Sequence, residues 1–389
     1  MNVAIFSSKF PAISESFIVR QAQALKATVY RKTSDENIKV PTGVKVVQLP
    51  YPPKKRTKNK WRRIIRKIWC ASRYKNTYLM PACMERALSA AFLESKPDVI
   101  LAQYGTTGLQ LIRPCIKTNV PLVIHFHGFD LSKTYRDRWY RFSCKKLIRV
   151  ARALIVVNNV QRERLLNLDA PPEKIYLIPC GVPVEEFTPT GSVSKQPCRF
   201  LAVGRFVPKK CQINTIKAFA KCAKKCRDVR LIIIGDGPLL DDSRRMADDL
   251  GLTKQIRFMG AQPNEIVKRE MMTAGAFVQH SITSSDGDEE GWPVVVGEAM
   301  SCGLPVVSTR HPGIIDQVVE RETGFLVEEN DWKEMADRMI VIAENPQLRQ
   351  SMGIAGRRRI ERLGSLENSL LLLKDALRNS IINHKPNYC

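Results

Sequence analysis

Glu290-Gly291-Trp292-Pro293-Val294-Val295-Val296-Gly297-Glu298 runs straight on into Ala299-Met300-Ser301-Cys302-Gly303-Leu304-Pro305-Val306-Val307. The order of residue types predicts a turn, a helix, a second turn and a strand. Gly291 and Pro293 make the first turn, because proline is tolerated in a helix only within its first turn. Val294 to Cys302 continues as the helix, and Gly303-Leu304-Pro305 closes it before the apolar run at Val306–Ser308. Glu290 therefore falls in the loop ahead of the helix and Glu298 more than one turn inside it. A ligand at that helix N-terminus meets backbone N–H groups and the positive end of the dipole, which suits phosphate. The two carboxylates are then left to accept hydrogen bonds from hydroxyls. A sugar nucleotide has this chemistry, anionic in its middle and hydroxyl-rich at its ends.

The unit recurs on both sides. In the first half, Val3–Phe6, Val46–Leu49, Val99–Ala102, Leu122–Phe126, Leu154–Val157 and Ile175–Ile178 read as short apolar strands. Ser16–Lys26, Pro81–Leu93, Thr107–Lys117 and Trp139–Arg149 read as helices between them. In the second half the strands are Phe200–Val203, Arg230–Ile234, Ile256–Phe258, Ala276–Val278, Val306–Ser308 and Phe325–Val327. Such alternation predicts doubly wound parallel sheets. The stretch Gly181 to Pro197 between the halves is rich in Pro, Gly, Ser and Thr, a linker composition. Its 389 residues suit two domains of roughly 150 to 200 residues each. The expected α/β architecture is two Rossmann-like domains, 1–190 and 191–365.

Glu290, the seven residues after it, Glu298 and the run Ala299 to Val307 together resemble the signature of retaining family 4 glycosyltransferases of the GT-B fold. Further segments in matching order extend the resemblance over nearly the whole chain. Phe10-Pro11-Ala12-Ile13-Ser14-Glu15-Ser16-Phe17-Ile18 resembles a subgroup that builds bacterial exopolysaccharides and related surface glycans. His125-Phe126-His127-Gly128-Phe129-Asp130 is similar to the family's His-Gly loop. Val203-Gly204-Arg205-Phe206-Val207-Pro208-Lys209-Lys210 is similar to its Gly-Arg-(four residues)-Lys segment. Ile234-Gly235-Asp236-Gly237-Pro238 and Thr323-Gly324-Phe325-Leu326-Val327 complete the order. The resemblance implies a GT-B enzyme whose two domains face each other across a cleft, the first taking the acceptor and the second the nucleotide-sugar donor. It also implies that the last helix, within 366–389, returns to the first domain.

The resemblance assigns roles residue by residue. Arg205 and Lys210 match the family's donor-diphosphate contacts, and both follow a strand ending at Gly204, where open α/β sheets bind ligands. Glu290 is assigned to the hydroxyls of the transferred sugar and Glu298 to the nucleotide ribose, with Gly291, Trp292 and Pro293 beside them. His127 matches a residue that approaches the donor sugar and stabilises its cationic carbon. Gly235 and Gly237 allow backbone to approach the donor. Ser14 and Glu15 lie in the first loop, facing acceptor or diphosphate. On the residues alone, His125 reads as core and Asp130 as a helix cap. Cys211 stands where the family pattern has glycine, so a positive φ at that position would strain it.

A leaving diphosphate needs charge stabilisation. A metal on an Asp-x-Asp motif is one solution, and Asp286-Gly287-Asp288 has that form. It sits in an acidic loop directly before Glu290 rather than after a strand of a single-domain enzyme, and reads as a solvated loop. The expectation is fixed cations and a helix N-terminus, with no metal and no cofactor beyond the nucleotide sugar itself. The eleven cysteines form no Cys-x-x-Cys pair and read as isolated reduced thiols.

Charge is unevenly placed. Residues 1–190 carry 33 Lys and Arg against 13 Asp and Glu, and residues 191–389 carry 29 against 25. The first domain therefore faces something negative. Its densest run, Lys54 to Lys75, holds eleven basic residues and no acidic one. Trp61, Ile64, Ile65, Ile68 and Trp69 recur there at helical spacing between Lys60, Arg62, Arg63, Arg66 and Lys67. That pattern fits an amphipathic helix on an anionic membrane surface. A helix packed on its own domain and a nucleic-acid contact are the alternatives. No apolar run reaches the ~18 to 20 residues that span a bilayer, and the N-terminus reads as a strand rather than a signal peptide. The expected location is cytoplasmic, peripheral at the inner face of the cell membrane.

The combined expectation is a retaining, metal-independent glycosyltransferase moving a sugar from a nucleotide diphosphate to a lipid-linked or saccharide acceptor in surface-polysaccharide synthesis. A GT-B-fold sugar-nucleotide epimerase would share fold and donor site. A basic nucleic-acid-binding protein would explain the charge but leave the Glu290–Glu298 spacing without a purpose.

Overall fold

Strands β1 (Val3–Lys9), β2 (Thr28–Thr33), β3 (Lys45–Gln48), β4 (Val99–Gln103), β5 (Leu122–His125), β6 (Ala153–Val156) and β7 (Ile175–Leu177) form one sheet in the order β3-β2-β1-β4-β5-β6-β7. Every pair is parallel. The computed structural model describes residues 1–11, 15–33, 39–50, 80–189 and 198–384. The chain divides into two units, Met1–Ile178 with Leu370–Cys389, and Pro179–Ser369.

In the first unit the central strands are covered on both faces, so their sequences are nearly unbroken apolar runs. Alternate residues of each strand serve opposite layers. Phe6, Ile100, Ala102, Ile124 and Leu154 pack with Met84, Leu88, Leu111 and Leu147 from three helices, Ala82–Ser95, Gly105–Thr118 and Arg138–Val150. Ile5, Val29, Leu101, Val123 and Ile155 pack on the other side with Ile18 and Ala22 of the helix Ser16–Ala24. Leu373, Ala376 and Leu377 of the C-terminal helix Leu366–Ile382 complete that second layer. Fully burying such a side chain contributes about 1.5 to 3 kcal/mol.

The second unit has the strands β8 (Arg199–Val203), β9 (Arg230–Ile234), β10 (Ile256–Phe258), β11 (Ala276–Gln279), β12 (Val306–Thr309) and β13 (Gly324–Val327), ordered β10-β9-β8-β11-β12-β13. Both sheets thus follow the doubly wound order in which the winding reverses between the first and fourth strands. The reversal falls between β1 and β4 in one unit and between β8 and β11 in the other. Ligands of open α/β sheets bind beyond the strand ends at such a point.

Two differences from the sequence reading have physical causes. Thr28–Thr33 forms a strand that the apolar pattern did not indicate, because Arg31 and Lys32 interrupt it. Residues 179–189 do not end the first unit, although the sequence placed its boundary at 190. Val182 donates to Gly364 O at 2.8 Å and bridges to Ser365, and Arg357 Nη1 donates to Val184 O at 2.8 Å. These bonds tie the segment to the second unit.

Candidate active site

In the second unit the loops after β8 and β9 lie backbone against backbone. Gly204 N donates to Ile234 O and Phe206 N to Asp236 O, both at 2.9 Å. Gly235 and Gly237 have φ of 146° and 149°, and a Cβ on Gly235 would lie 1.9 Å from Gly204 O. The immediate reason for Gly235 is therefore closure of these two loops. Lys210 ends the short turn Pro208–Lys210, and the next residue, Cys211, has φ 39° and ψ 51°. The position does require the left-handed backbone that glycine adopts freely, and Cys211 adopts it at a steric cost.

Lys210 Nζ lies 3.4 Å from Glu290 Oε1 and donates to Gln279 Oε1 at 3.1 Å. Lys209 Nζ reaches Asp288 Oδ1 and Glu289 O, each at 3.1 Å. The N–H of Glu290 donates to His311 Nε2 at 2.8 Å. His311 Nδ1 in turn pairs with Glu329 Oε1 at 2.5 Å, and Glu329 Oε2 accepts from Thr283 N at 2.8 Å. Gly313 makes room for this loop, since a Cβ there would lie 2.7 Å from Glu290 O. Burial opposes ionisation of Glu290, but the Lys210 and Lys209 ammonium groups outweigh it and hold its carboxyl below the ordinary value. Burial lowers the Lys210 ammonium despite its partner Glu290. The loop after β8 and the loop before the helix Val294–Ser301 thus present an ion pair with spare hydrogen-bonding capacity.

Pro293 is the N-cap of the helix Val294–Ser301, and Glu298 lies half-buried on its second turn. Gly297 lets this helix sit close to its neighbours, since a Cβ there would lie 2.7 Å from Val182 and 3.1 Å from Ile360. Trp292 is buried, and its indole N–H has no partner among the described residues, beside the buried Gly291. The Arg205 guanidinium is exposed and makes no hydrogen bond or ion pair among the described residues. Asp286 and Asp288 are engaged by protein. Asp286 Oδ1 accepts from Ser284 Oγ at 2.6 Å and from Asp288 N at 3.2 Å, and Asp288 pairs with Lys209. Among the described residues no group of three or more His, Cys, Asp or Glu side chains is arranged to hold a metal ion.

In the first unit His127 follows β5 and is buried. Its ring lies between Phe17, Tyr104 and His125, with centroids 4.5, 4.9 and 4.1 Å away. Burial, and then the neighbouring His125, hold its imidazole well below the ordinary value, so it is neutral at pH 7. His125 is a core residue, as its in-strand position implied. Asp130 caps a helix, though not one that follows it. Its carboxylate accepts from Gly105 N at the start of the helix Gly105–Thr118 at 2.9 Å, and from His127 N and Gly128 N at 3.2 and 3.1 Å. It pins the histidine loop to that helix. Tyr104, just before the same helix, has φ 74° and ψ 143°, a backbone region that favours glycine, and its hydroxyl donates to Glu15 Oε1 at 2.8 Å. Ser14 and the membrane-surface candidates Lys60, Trp61, Arg62, Arg63, Arg66, Lys67 and Trp69 lie outside the described residues.

The two doubly wound sheets are those of the GT-B glycosyltransferase fold. The chain belongs to the family 4 type with the GT-B fold. The family described as Glycosyl transferases group 1 matches residues 185–359, and Glycosyltransferase Family 4 matches residues 36–186. The Escherichia coli protein assigned as the colanic acid biosynthesis glycosyltransferase WcaL is 27% identical over 88% of this chain and 91% of its own length. A Mycolicibacterium smegmatis GDP-mannose-dependent phosphatidylinositol monomannoside mannosyltransferase is 28% identical over 56% of this chain and 59% of its own. The crystal structure of Anabaena Alr3699/HepE in complex with UDP and glucose shares the fold, with a TM-score of 0.76 at 18% identity over 97% of this chain and 99% of that one. These comparisons favour the transferase over the epimerase. Among the described residues no helix is long and apolar enough to cross a membrane.

His311, Glu329, Gln279, Tyr104 and Gln103 carry no motif of their own in the sequence. His311-Pro312-Gly313 just after an apolar strand was the one available sign, since a polar ring at a strand end beside a turn glycine is placed to meet another loop.

Proposed function

We propose that this protein transfers a hexose from a nucleotide diphosphate to a saccharide or lipid-linked acceptor during surface-polysaccharide assembly, with retention of anomeric configuration and without a metal ion. The observation that carries this reading is the Lys210–Glu290 pair near Arg205, whose guanidinium has no partner among the described residues, at the winding reversal of the second sheet. Arg205 and Lys210 neutralise the leaving diphosphate, Glu290 accepts hydrogen bonds from the sugar hydroxyls, and Glu298 accepts from the ribose. The bond between the anomeric carbon and the phosphate oxygen breaks as the acceptor oxygen bonds to the same face. The acceptor's hydroxyl proton passes to the departing phosphate oxygen. WcaL supports the surface-glycan assignment, and the mannosyltransferase supports a nucleotide donor and a lipid-linked acceptor. NMR of the product from an α-configured nucleotide sugar tests the mechanism. An α-linked product is expected, and a β-linked one refutes retention.

A peripheral membrane location joins this reading. The outward face of the helix Arg138–Val150 carries Trp139 and Phe142, 46% and 65% exposed, among Arg138, Lys145, Lys146 and Arg149. Cations and interfacial aromatics on one face suit an anionic bilayer, as does the composition of Lys54 to Lys75. Salt-sensitive sedimentation with anionic vesicles is expected, and its loss on reversing Arg62, Arg63, Arg66 and Lys67 to Glu identifies the basic run as the contact. Failure to sediment at low salt refutes the location.

A further inference from the structure

Gln103 ends β4, His125 ends β5, and Gln21 lies on the helix Ser16–Ala24. With His127 their side chains form one buried line of hydrogen bonds. His127 Nε2 lies 2.7 Å from Gln103 Oε1. Gln103 Nε2 donates to Gln21 Oε1 at 2.8 Å, and Gln21 Nε2 faces His125 Nδ1 at 3.4 Å. Each amide spends its oxygen on one neighbour and its nitrogen on the next, so fixing one link sets the direction of the whole line. With its nitrogen committed to Gln21, Gln103 turns its oxygen toward His127, and that oxygen can only accept. The ring proton of neutral His127 must then sit on Nε2.

His127 Nδ1 is left as a bare lone pair. It is buried and has no hydrogen-bond partner among the described residues, on a residue only 7% exposed. A buried acceptor without a donor carries a desolvation penalty that a ligand donor relieves. The ring has little freedom to escape by rotating, because Phe17, Tyr104 and His125 all lie within 5 Å of it by ring centroid. Gln161 Nε2 and Asp130 hold the backbone on which the ring stands, through His127 O at 2.9 Å and His127 N at 3.2 Å.

We infer that Gln103 is a positioning residue that, through Gln21 and His125, fixes His127 as the Nε2–H tautomer, so that Nδ1 accepts a hydrogen bond from a hydroxyl of the sugar substrate. The inference rests on the reading of His127 as a sugar contact, and it adds a selection rule. A substrate with a hydroxyl at this point satisfies Nδ1, whereas one lacking it leaves the nitrogen buried and unpaired. His127 therefore selects by accepting, and it neither donates a proton nor carries charge in this role.

The test needs no ligand for its first arm. Long-range proton–nitrogen correlation spectra of the histidine-labelled protein at pH 7 distinguish protonated from bare ring nitrogens, and His127→Ala assigns the signals. Wild type is expected to show His127 protonated at Nε2 and bare at Nδ1. Gln103→Leu should mix or reverse the tautomers and lower turnover of the active nucleotide sugar by roughly ten- to a hundredfold, the usual effect of losing an outer hydrogen-bond partner. Gln103→Glu, which still accepts from Nε2, should restore the tautomer and part of the turnover, and it guards against a folding defect in the Leu variant. A wild-type His127 protonated at Nδ1 overturns the inference. So does an unchanged tautomer in Gln103→Leu, whatever its turnover. A protein that shows the tautomer but transfers no sugar would instead refute the function proposed above.

Discussion

The amide of Glu290 is held by a buried imidazole, donating to His311 Nε2 at 2.8 Å. The ring's other nitrogen pairs with Glu329, so a carboxylate from the loop after β13 fixes the backbone of the loop before the helix Val294–Ser301. The loop that carries Glu290 is thereby placed by the fold rather than by a ligand.

Replacing His311 by Phe keeps a ring but leaves the buried Glu290 N–H without an acceptor. An orphaned buried donor costs about 1 to 3 kcal/mol. Urea unfolding is expected to show a loss of that size, with turnover falling at least tenfold because Glu290 shifts. Unchanged stability and turnover would mean that another acceptor takes over.

Cys211 holds a left-handed backbone at φ 39°, which costs a side-chain-bearing residue about 1 to 2 kcal/mol. Cys211→Gly removes this strain while adding chain entropy to the unfolded state. The balance predicts a gain of up to about 1 kcal/mol in thermal stability with Lys210 still paired to Glu290. A clear loss would show that the Cys211 side chain contributes packing larger than the strain.

Acid should weaken the fold well above the carboxylate range. Burial lowers His125 from 6.5 to about 3 and His280 to about 4, and it holds His127 well below 6.5. Below pH 6.5 the unfolded chain protonates these rings while the folded chain does not, so stability present above 6.5 is lost as pH falls. Each contributes about 1.4 kcal/mol per pH unit. Asp130 acts in the opposite sense, because burial raises its carboxyl from 3.8 to about 6. Its contribution is complete below 3.8 and is lost as pH rises through 6. Three histidines acting in one sense against one aspartate leave stability falling as the pH drops from about 6 toward 4.5. Urea midpoints that stay flat over this interval would show that the rings are reached by water.

Arg205 has no side-chain partner to lose among the described residues. Arg205→Ala is expected to leave stability within about 0.5 kcal/mol and to lower turnover by roughly 10² to 10³ fold, as when a fixed stabiliser of developing charge is removed. EDTA should change wild-type turnover little. Strong EDTA inhibition restored by Mn²⁺ would return Asp286 and Asp288 to the reaction as metal ligands.

How far the sequence could be read follows from which interactions are local. Runs such as Val99–Gln103 and Leu122–His125 are continuous apolar strands because a parallel sheet buries both their faces. Thr28–Thr33, polar along its second half, gave no such pattern. Glu290 and Glu298 were legible because one turn and one helix fix their spacing. His311 and Glu329 were not, since they meet Glu290 only through strand order, 21 and 39 residues downstream. Gln103 and His127 likewise come together only because β4 pairs with β5. The positive φ at Cys211 was readable from the glycine it replaces, whereas nothing in the sequence marked Tyr104 as strained.

The central claim is that the second unit binds a nucleotide sugar through Glu290, Glu298, Arg205 and Lys210. Thermal unfolding of the whole protein against a panel of uridine, guanosine, adenosine and thymidine diphosphate sugars tests it most directly, because a ligand of the native state raises the melting temperature. At least one nucleotide sugar is expected to do so. Glu298→Gln should weaken that sugar and its free nucleoside diphosphate alike, the loss of a charge-assisted bond worth roughly 1.5 to 3 kcal/mol. Glu290→Gln should weaken the sugar nucleotide while leaving the nucleoside diphosphate nearly unchanged. No shift with any member of the panel, or equal loss of nucleoside diphosphate binding in both variants, would contradict the account.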